Sequence, residues 1–292
     1  MTIRPRRSVL YMPGSNARAL EKAKTLAADG IILDLEDSVA PDAKAAARDQ
    51  VCAAVKAGGF GAREVFIRVN GVDTPWHADD LAAAAAAAPD AILVPKVQDA
   101  ETVELIGRRL LDMAADRKTR LWAMIETPLA IFNILSIAAQ ARDTETRLTG
   151  FVMGTNDLAK ETRARLVPGR APMLAWLTTC IAAARIHGVD VLDGVYNDLA
   201  NAEGFQAECT QGVELGFDGK TLIHPNQIGP CNTAFSPSEA EVAWARKMIA
   251  AFDLPENKDK GVVSIDGRMV ERLHAEMARR TVAIAEAIEA RA

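Results

Sequence analysis

The sequence predicts an α/β protein, a closed (β/α)8 TIM barrel with a C-terminal helical lid or arm, and three observations predict it. Short apolar runs recur along the chain, alanine-rich helical segments separate them, and no GxGxxG motif follows the first run. Strand signals alternating with helix signals indicate a parallel sheet. The runs number eight, a count at which a sheet closes around a side-chain-filled interior and leaves no unpaired edge. The competing open, doubly wound sheet lacks its glycine fingerprint.

In order, the predicted strands are "SVLYM" from Ser8, "IILDL" from Ile31, "EVFIRV" from Glu64 and "AILVPKV" from Ala91. They continue with "RLWAMI" from Arg120, "GFVMG" from Gly150, "DVLDGV" from Asp190 and "KTLIH" from Lys220. The segments "NARALEKAKTLAAD", "DAKAAARDQVCAAVKAG", "WHADDLAAAAAAA" and "DAETVELIGRRLLDMAAD" are rich in good helix formers, with Asn16, Asp42 and Asp99 as starting residues. The alanine tract Ala82 to Ala88 reads as a thin helix packed closely on the barrel. After Phe252 the composition changes to a charged, Pro- and Gly-containing connector, "DLPENKDKGVVSIDG", with a helix expected from about Arg268 to the end. Residues 1–252 are therefore read as the barrel domain and 253–292 as connector and lid helix. That helix is either a lid or subunit-exchange arm, or a surface helix closing the barrel bottom.

A chain of 292 residues, 49% hydrophobic, can bury a large core. Its net charge of −5 is modest and its basic residues are scattered, which argues against a nucleic-acid binder. Cys52, Cys180, Cys209 and Cys231 form no CxxC pair, so neither zinc nor a disulfide framework is indicated and a reducing cytoplasm is the simplest home. No apolar stretch is long enough to span a bilayer, and the short apolar run before Pro13 does not read as an export signal.

Function in such a barrel is expected where the strands finish. There the sequence puts Pro13 and Gly14, Asp34, Glu36 and Asp37, Arg68 and Asn70, Lys96, Glu126, Asn156 and Asp157, Asp193 and Asn197, and His224. So many carboxylates in one cavity raise one another's pKa unless a cation intervenes. An all-oxygen set without clustered Cys or His selects Mg2+, with Mn2+ as second choice. Glu126 in "MIETP" and Asp157 in "MGTNDLA" suit this role, although either alone also reads as an acid favouring a helix start. Arg68, inside an apolar strand, must find an anion: a substrate oxygen, a structural partner in Asp34 or Glu36, or both. His224, ahead of Pro225, reads as a loop residue that shapes the next turn. "MPGSNARALEKA" reads as a turn entering a helix whose free N–H groups could take a phosphate near Arg18 and Lys22.

Taken together, "RSVLYMPGSNARALEKA", "ILDLEDSVAPDAKAAAR", "FIRVNGVDT", "LVPKV", "AMIETPLAI", "GTNDLA", "GFDGKTLIHPNQI" and "SIDGRMVERLHAE" resemble the citrate lyase β-subunit-like group, which includes malyl-CoA lyases, malyl-CoA thioesterases and citramalyl-CoA lyases. The resemblance covers nearly the whole chain. It implies a Mg2+-dependent barrel that binds a CoA thioester and makes or breaks the bond between the thioester α-carbon and a 2-oxo acid carbonyl. Carried over, Glu126 and Asp157 correspond to metal ligands, and Arg68 to the residue facing the thioester carbonyl and its enolate. Asp34, Glu36 and Asp37 correspond to a surrounding shell that holds metal-bound water and Arg68; Asn16, Lys22, Lys96, His224 and Pro225 correspond to substrate and CoA contacts. The arm would reach a neighbouring subunit's site in a homotrimer or homohexamer.

Two departures stand out: Glu271 aligns with the lid aspartate of the lyases, and Asn156 stands where a glutamate is common. The leading expectation is cleavage of a 3-hydroxyacyl-CoA such as (3S)-malyl-CoA to acetyl-CoA and glyoxylate. Its rival within the family is hydrolysis to malate and CoA. An aldolase for free 2-oxo acids and a non-catalytic lyase subunit are the more distant readings.

Overall fold

The computed structural model describes residues 3–291. Each predicted strand forms, and the eight lie in chain order around a closed parallel barrel, the last pairing with the first. β1 (Ser8–Pro13) leads to α1 (Ala17–Ala23), β2 (Gly30–Asp34) to α2 (Lys44–Ala57), and β3 (Glu64–Arg68) to α3 (His77–Ala87). β4 (Ala91–Val94) and α4 (Ala100–Asp112) follow, then β5 (Arg120–Ile125) with α5 (Pro128–Phe132) and α6 (Ile134–Ala139). The circuit ends with β6 (Leu148–Met153), α7 (Thr155–Thr162), α8 (Leu174–His187), β7 (Asp190–Asp193), α9 (Ala202–Leu215), β8 (Gly219–Leu222) and α10 (Ile228–Ala234).

The interior is filled by one inward-facing set: Val9, Ile32, Phe66, Ala91, Leu93, Trp122, Met124, Val152 and Leu192, with Tyr11 packed against them. Trp122 meets Phe66 edge to face at 5.2 Å. Its indole lies over Gly150, where any β-carbon would fall 2.2 Å from the ring. A glycine is therefore required at this point of β6.

The helix starts are partly as expected. Asn16 and Asp99 cap α1 and α4, accepting from the N–H groups of Ala19 and Thr102. Asp42 does not cap α2: it lies inside a 3-10 turn, Pro41–Ala43, and the helix begins after Ala43 without a side-chain cap. Pro41 opens that turn, in which the Ala43 N–H donates to the Ala40 carbonyl. α1 ends at Ala23, short of the predicted span.

The chain divides into two compact units, Arg6–Asn232 and a second that runs from Thr233 and takes in the residues up to Pro5. The seam thus precedes the connector after Phe252 that the composition suggested, because α11 (Glu239–Asp253) packs along α12 (Arg272–Glu289) in the second unit. The connector is also more ordered than expected. β9 (Val262–Ile265) and β10 (Arg268–Glu271) form an antiparallel hairpin, so the helix starts at Arg272 rather than near Arg268. The turn residues Asp266 and Gly267 both have positive φ, the requirement of the tight Asp-Gly hairpin turn. Val263, Ile265 and Val270 then bury against Phe252 and Ala275. None of the helices of the described residues is long and apolar enough to cross a membrane.

Candidate active site

The site grows from a register match. β2 and β3 pair so that Asp34 and Arg68 are neighbours, each the last residue of its strand. Arg68 Nε donates to Asp34 Oδ1 at 2.6 Å and Nη2 to Oδ2 at 2.8 Å, a two-pronged charge-assisted pair. Asp34 also accepts from the backbone N–H groups of Glu36 and Ser38. Burial alone would raise the Asp34 pKa, yet the guanidinium and these hydrogen bonds hold it below the usual carboxylate value. Burial likewise opposes the Arg68 charge, and Asp34 more than compensates, so Arg68 stays a cation.

The rest of the guanidinium is set by three further groups. The Tyr11 ring lies under it at 4.8 Å, and the Met124 sulfur is 3.7 Å from Nη1. Glu36 Oε2 lies 2.8 Å from Nη1, close enough for an ion pair but off the N–H direction, so this buried oxygen has no hydrogen-bond partner. Asp37 is mostly exposed, its carboxylate 3.7 Å from Nη1. Lys44 steadies the loop from behind, its ammonium donating to the carbonyls of Leu35 and Glu36.

Glu126 enters from the next side of the barrel. It follows β5; Thr127 then caps α5 by accepting from the Ala130 N–H, and Pro128 occupies the first turn. This is the physical content of "ETP": strand end, cap, helix start. Glu126 Oε1 accepts from the backbone N–H of Lys96 at 2.7 Å. A β-carbon at Gly154 would sit 2.4 Å from Glu126 Oε2, so the glycine just after β6 leaves the space the carboxylate occupies. Asp157 follows in the first turn of α7. Beside it, Asn156 and Asn197 exchange side-chain amide hydrogen bonds of 3.2 and 2.7 Å across the two loops.

The electrostatics are unbalanced. Burial, then Glu36, with Asp157 adding and Arg68 opposing, push Glu126 up to about 8. Burial also raises Glu36, against the pull of Arg68. Lys96 supplies a second cation beside Arg68: its ammonium is 3.4 Å from Glu36 Oε1 and is held in the charged form by Glu36, Glu126 and Asp157, despite partial burial. Among the described residues, groups of three or more His, Cys, Asp or Glu that could by themselves cage a metal ion are absent. Two carboxylates with open positions is the smaller complement Mg2+ takes when water and substrate supply the rest.

The structure therefore brings together Asp34, Glu36, Asp37, Arg68, Lys96 and Glu126, with Asp157 within their field. It does not bring in every expected residue. Asn16, Arg18 and Lys22 lie exposed at α1, where the Asn16 side chain is engaged as the cap of a seven-residue helix. His224 Nδ1 accepts from the Asn226 N–H, and Pro225 begins the short turn that follows; both shape the loop. Glu271 belongs to the second unit, at the start of α12, where its N–H donates to His274 Nδ1 at 3.0 Å. Tyr11, Met124 and Lys44 are participants that the sequence reading did not single out. An aromatic in β1 and a methionine in β5 carry only a core signal.

Comparison with known proteins places this geometry. Residues 7–225 match the family described as HpcH/HpaI aldolase/citrate lyase. A (3S)-malyl-CoA thioesterase of Cereibacter sphaeroides is 49% identical over 286 residues, covering 98% of this chain and 96% of the relative. The citrate lyase subunit beta of Escherichia coli is 34% identical over 97% of this chain and 94% of its own. The crystal structure of Mycobacterium tuberculosis CitE in complex with magnesium, acetoacetate and coenzyme A superposes with a TM-score of 0.76 at 29% identity, covering 97% and 98% of the two chains.

Proposed function

The chain belongs to the HpcH/HpaI aldolase/citrate lyase family, an enzyme family, and from that premise we propose that it hydrolyses a hydroxy-dicarboxylyl-CoA thioester such as (3S)-malyl-CoA to malate and free CoA. One observation carries hydrolysis ahead of carbon–carbon cleavage. The relatives at 49–50% identity are named thioesterases, whereas those named citrate lyase subunit beta stand at 33–34%.

The donor set fits Mg2+, and less specifically Mn2+: oxygen ligands only, one carboxylate just past β5 and one in the first turn of α7, the former carrying a raised pKa that a cation would relieve. A divalent ion held by Glu126 and Asp157 would supply Lewis-acid polarisation of the substrate's carboxylate and hydroxyl oxygens. Arg68, fixed by Asp34 on one side and by the Tyr11 ring beneath, presents its remaining N–H to the thioester carbonyl oxygen and stabilises the oxyanion that forms there. Glu36 Oε2, buried and ion-paired with Arg68 but without a hydrogen-bond partner, takes a proton from the attacking water and returns it to the departing CoA sulfur.

The same oxyanion site would also stabilise a thioester enolate, so cleavage to acetyl-CoA and glyoxylate is the second reading. It needs an acid to protonate carbon, the part assigned by resemblance to Glu271. Purified protein given (3S)-malyl-CoA and Mg2+ distinguishes the two when free thiol and glyoxylate are followed separately. Thiol appearing with malate is expected. Glyoxylate and acetyl-CoA without thiol would make the enzyme a lyase.

A further inference from the structure

Lys96 is unusual in both its backbone and its side chain. Its φ of +54° lies in the left-handed region, uncommon for a residue with a β-carbon, and this turn aims its N–H at Glu126 Oε1, 2.7 Å away. The side chain then returns its ammonium to within 3.4 Å of Glu36 Oε1 while remaining 42% exposed. One residue therefore holds one carboxylate through its peptide and faces another through its charge. A flexible stem with open solvent beside it leaves the ammonium free to withdraw.

The surrounding charges define what this ammonium does. Asp34 is engaged by Arg68 through two hydrogen bonds, and Lys44 is committed to backbone carbonyls. Glu36, Glu126 and Asp157 remain, with Asp37 at the rim, and Arg68 satisfies Glu36 only in part. Building on the metal reading above, we propose that Lys96 is a tethered counter-ion: its ammonium occupies the cation's share of the Glu36, Glu126 and Asp157 cluster when no divalent ion is bound, and yields to solvent when one binds. The ion then competes with an internal cation rather than meeting bare carboxylates, which lowers its affinity and keeps the metal-free cluster together.

Calorimetric titration of Mg2+ alone into chelator-treated protein tests this, with wild type, Lys96→Met, Lys96→Arg and Glu126→Gln compared at one ionic strength. Lys96→Met is expected to bind Mg2+ about tenfold more tightly than wild type and to melt at a lower temperature in its absence. Lys96→Arg, which keeps the charge, should stay near wild type. Acetylation of Lys96 in the wild-type protein, read by mass spectrometry, should accelerate when Mg2+ is added. Equal or weaker binding by Lys96→Met, or slower acetylation with Mg2+, would overturn the counter-ion role while leaving the metal site standing. Absence of Mg2+ binding in both wild type and Lys96→Met, or undiminished binding by Glu126→Gln, would instead overturn the metal reading on which it rests.

Discussion

Both ends of the barrel hold an arginine ringed by acids, and the ring at the strand ends carries more acids than the other. At the strand starts, Arg6 holds Glu64 through two hydrogen bonds, reaches Asp190, and lies 5.0 Å above the Trp122 ring. At the strand ends Arg68 holds Asp34 in the same two-pronged manner over Tyr11, but Glu36, Glu126 and Asp157 also gather around it, and only Lys96 joins it in answering them. In a third buried cluster the charges match in number: Arg170 and Lys220 share Asp193, and Lys220 also takes Glu208. An arginine in a barrel strand shows only that its charge has partners. Surplus charge of one sign is what separates a site from a strut.

The largest effect should come from exchanging the two arginines' fates. Arg68→Met is expected to cut turnover by about 10²–10³-fold or more, since it removes an oxyanion donor. Arg6→Met should leave turnover per folded molecule within about twofold but lower unfolding free energy by about 3–5 kcal/mol, because it breaks the buried two-pronged ion pair with Glu64. Steady-state assays and urea melts on both variants provide the check. If Arg6→Met loses as much turnover as Arg68→Met, the division between the two ends fails.

The pH dependence should give a smaller effect that isolates the surplus. Glu126 ionises near 8 in the folded protein and at the ordinary carboxylate value when unfolded, so between those values the folded state holds the extra proton. Metal-free protein should therefore lose stability as pH rises from about 5 to about 8, at up to about 1.4 kcal/mol per unit from this group. Urea titrations across that range should flatten in Glu126→Gln; an identical slope in the variant would assign the dependence elsewhere.

The least effect is expected from the neutral pair at the same end. Asn197→Ala removes two exposed amide hydrogen bonds and no charge, so about 0.5–1.5 kcal/mol of stability at most should be lost, with Mg2+ affinity unchanged by calorimetry. A large drop in affinity would mean that hydrogen bonding, not charge, organises this rim.

What the sequence made legible follows this contrast. The strands were readable because each is a short apolar run, and Arg68 because a lone charge in "FIRV" demands an anion. Lys220 in "KTLIH" was read only as part of a strand, and Asp193 and Glu208 emerge as its partners only once β7, β8 and α9 are assembled. The grip of Lys96 on Glu126 was not readable, since it is made by a peptide N–H that every residue but proline carries. The β9–β10 hairpin was missed despite its Asp-Gly turn, because the flanking apolar residues are few and the helix signal beyond them is strong.

The pairing of β1 with β8 has a consequence for biosynthesis. Ser8 must wait for Lys220 before the sheet can close, so a nascent or truncated chain ending earlier carries two open edges ready to pair with other chains. Asp34, Arg68, Glu126 and Asp157 are all synthesised before that closure, yet the cylinder that fixes their spacing cannot form until β8 has followed them. Chaperone dependence should therefore centre on the interval before β8 emerges, and fragments of this enzyme should be aggregation-prone rather than partially active.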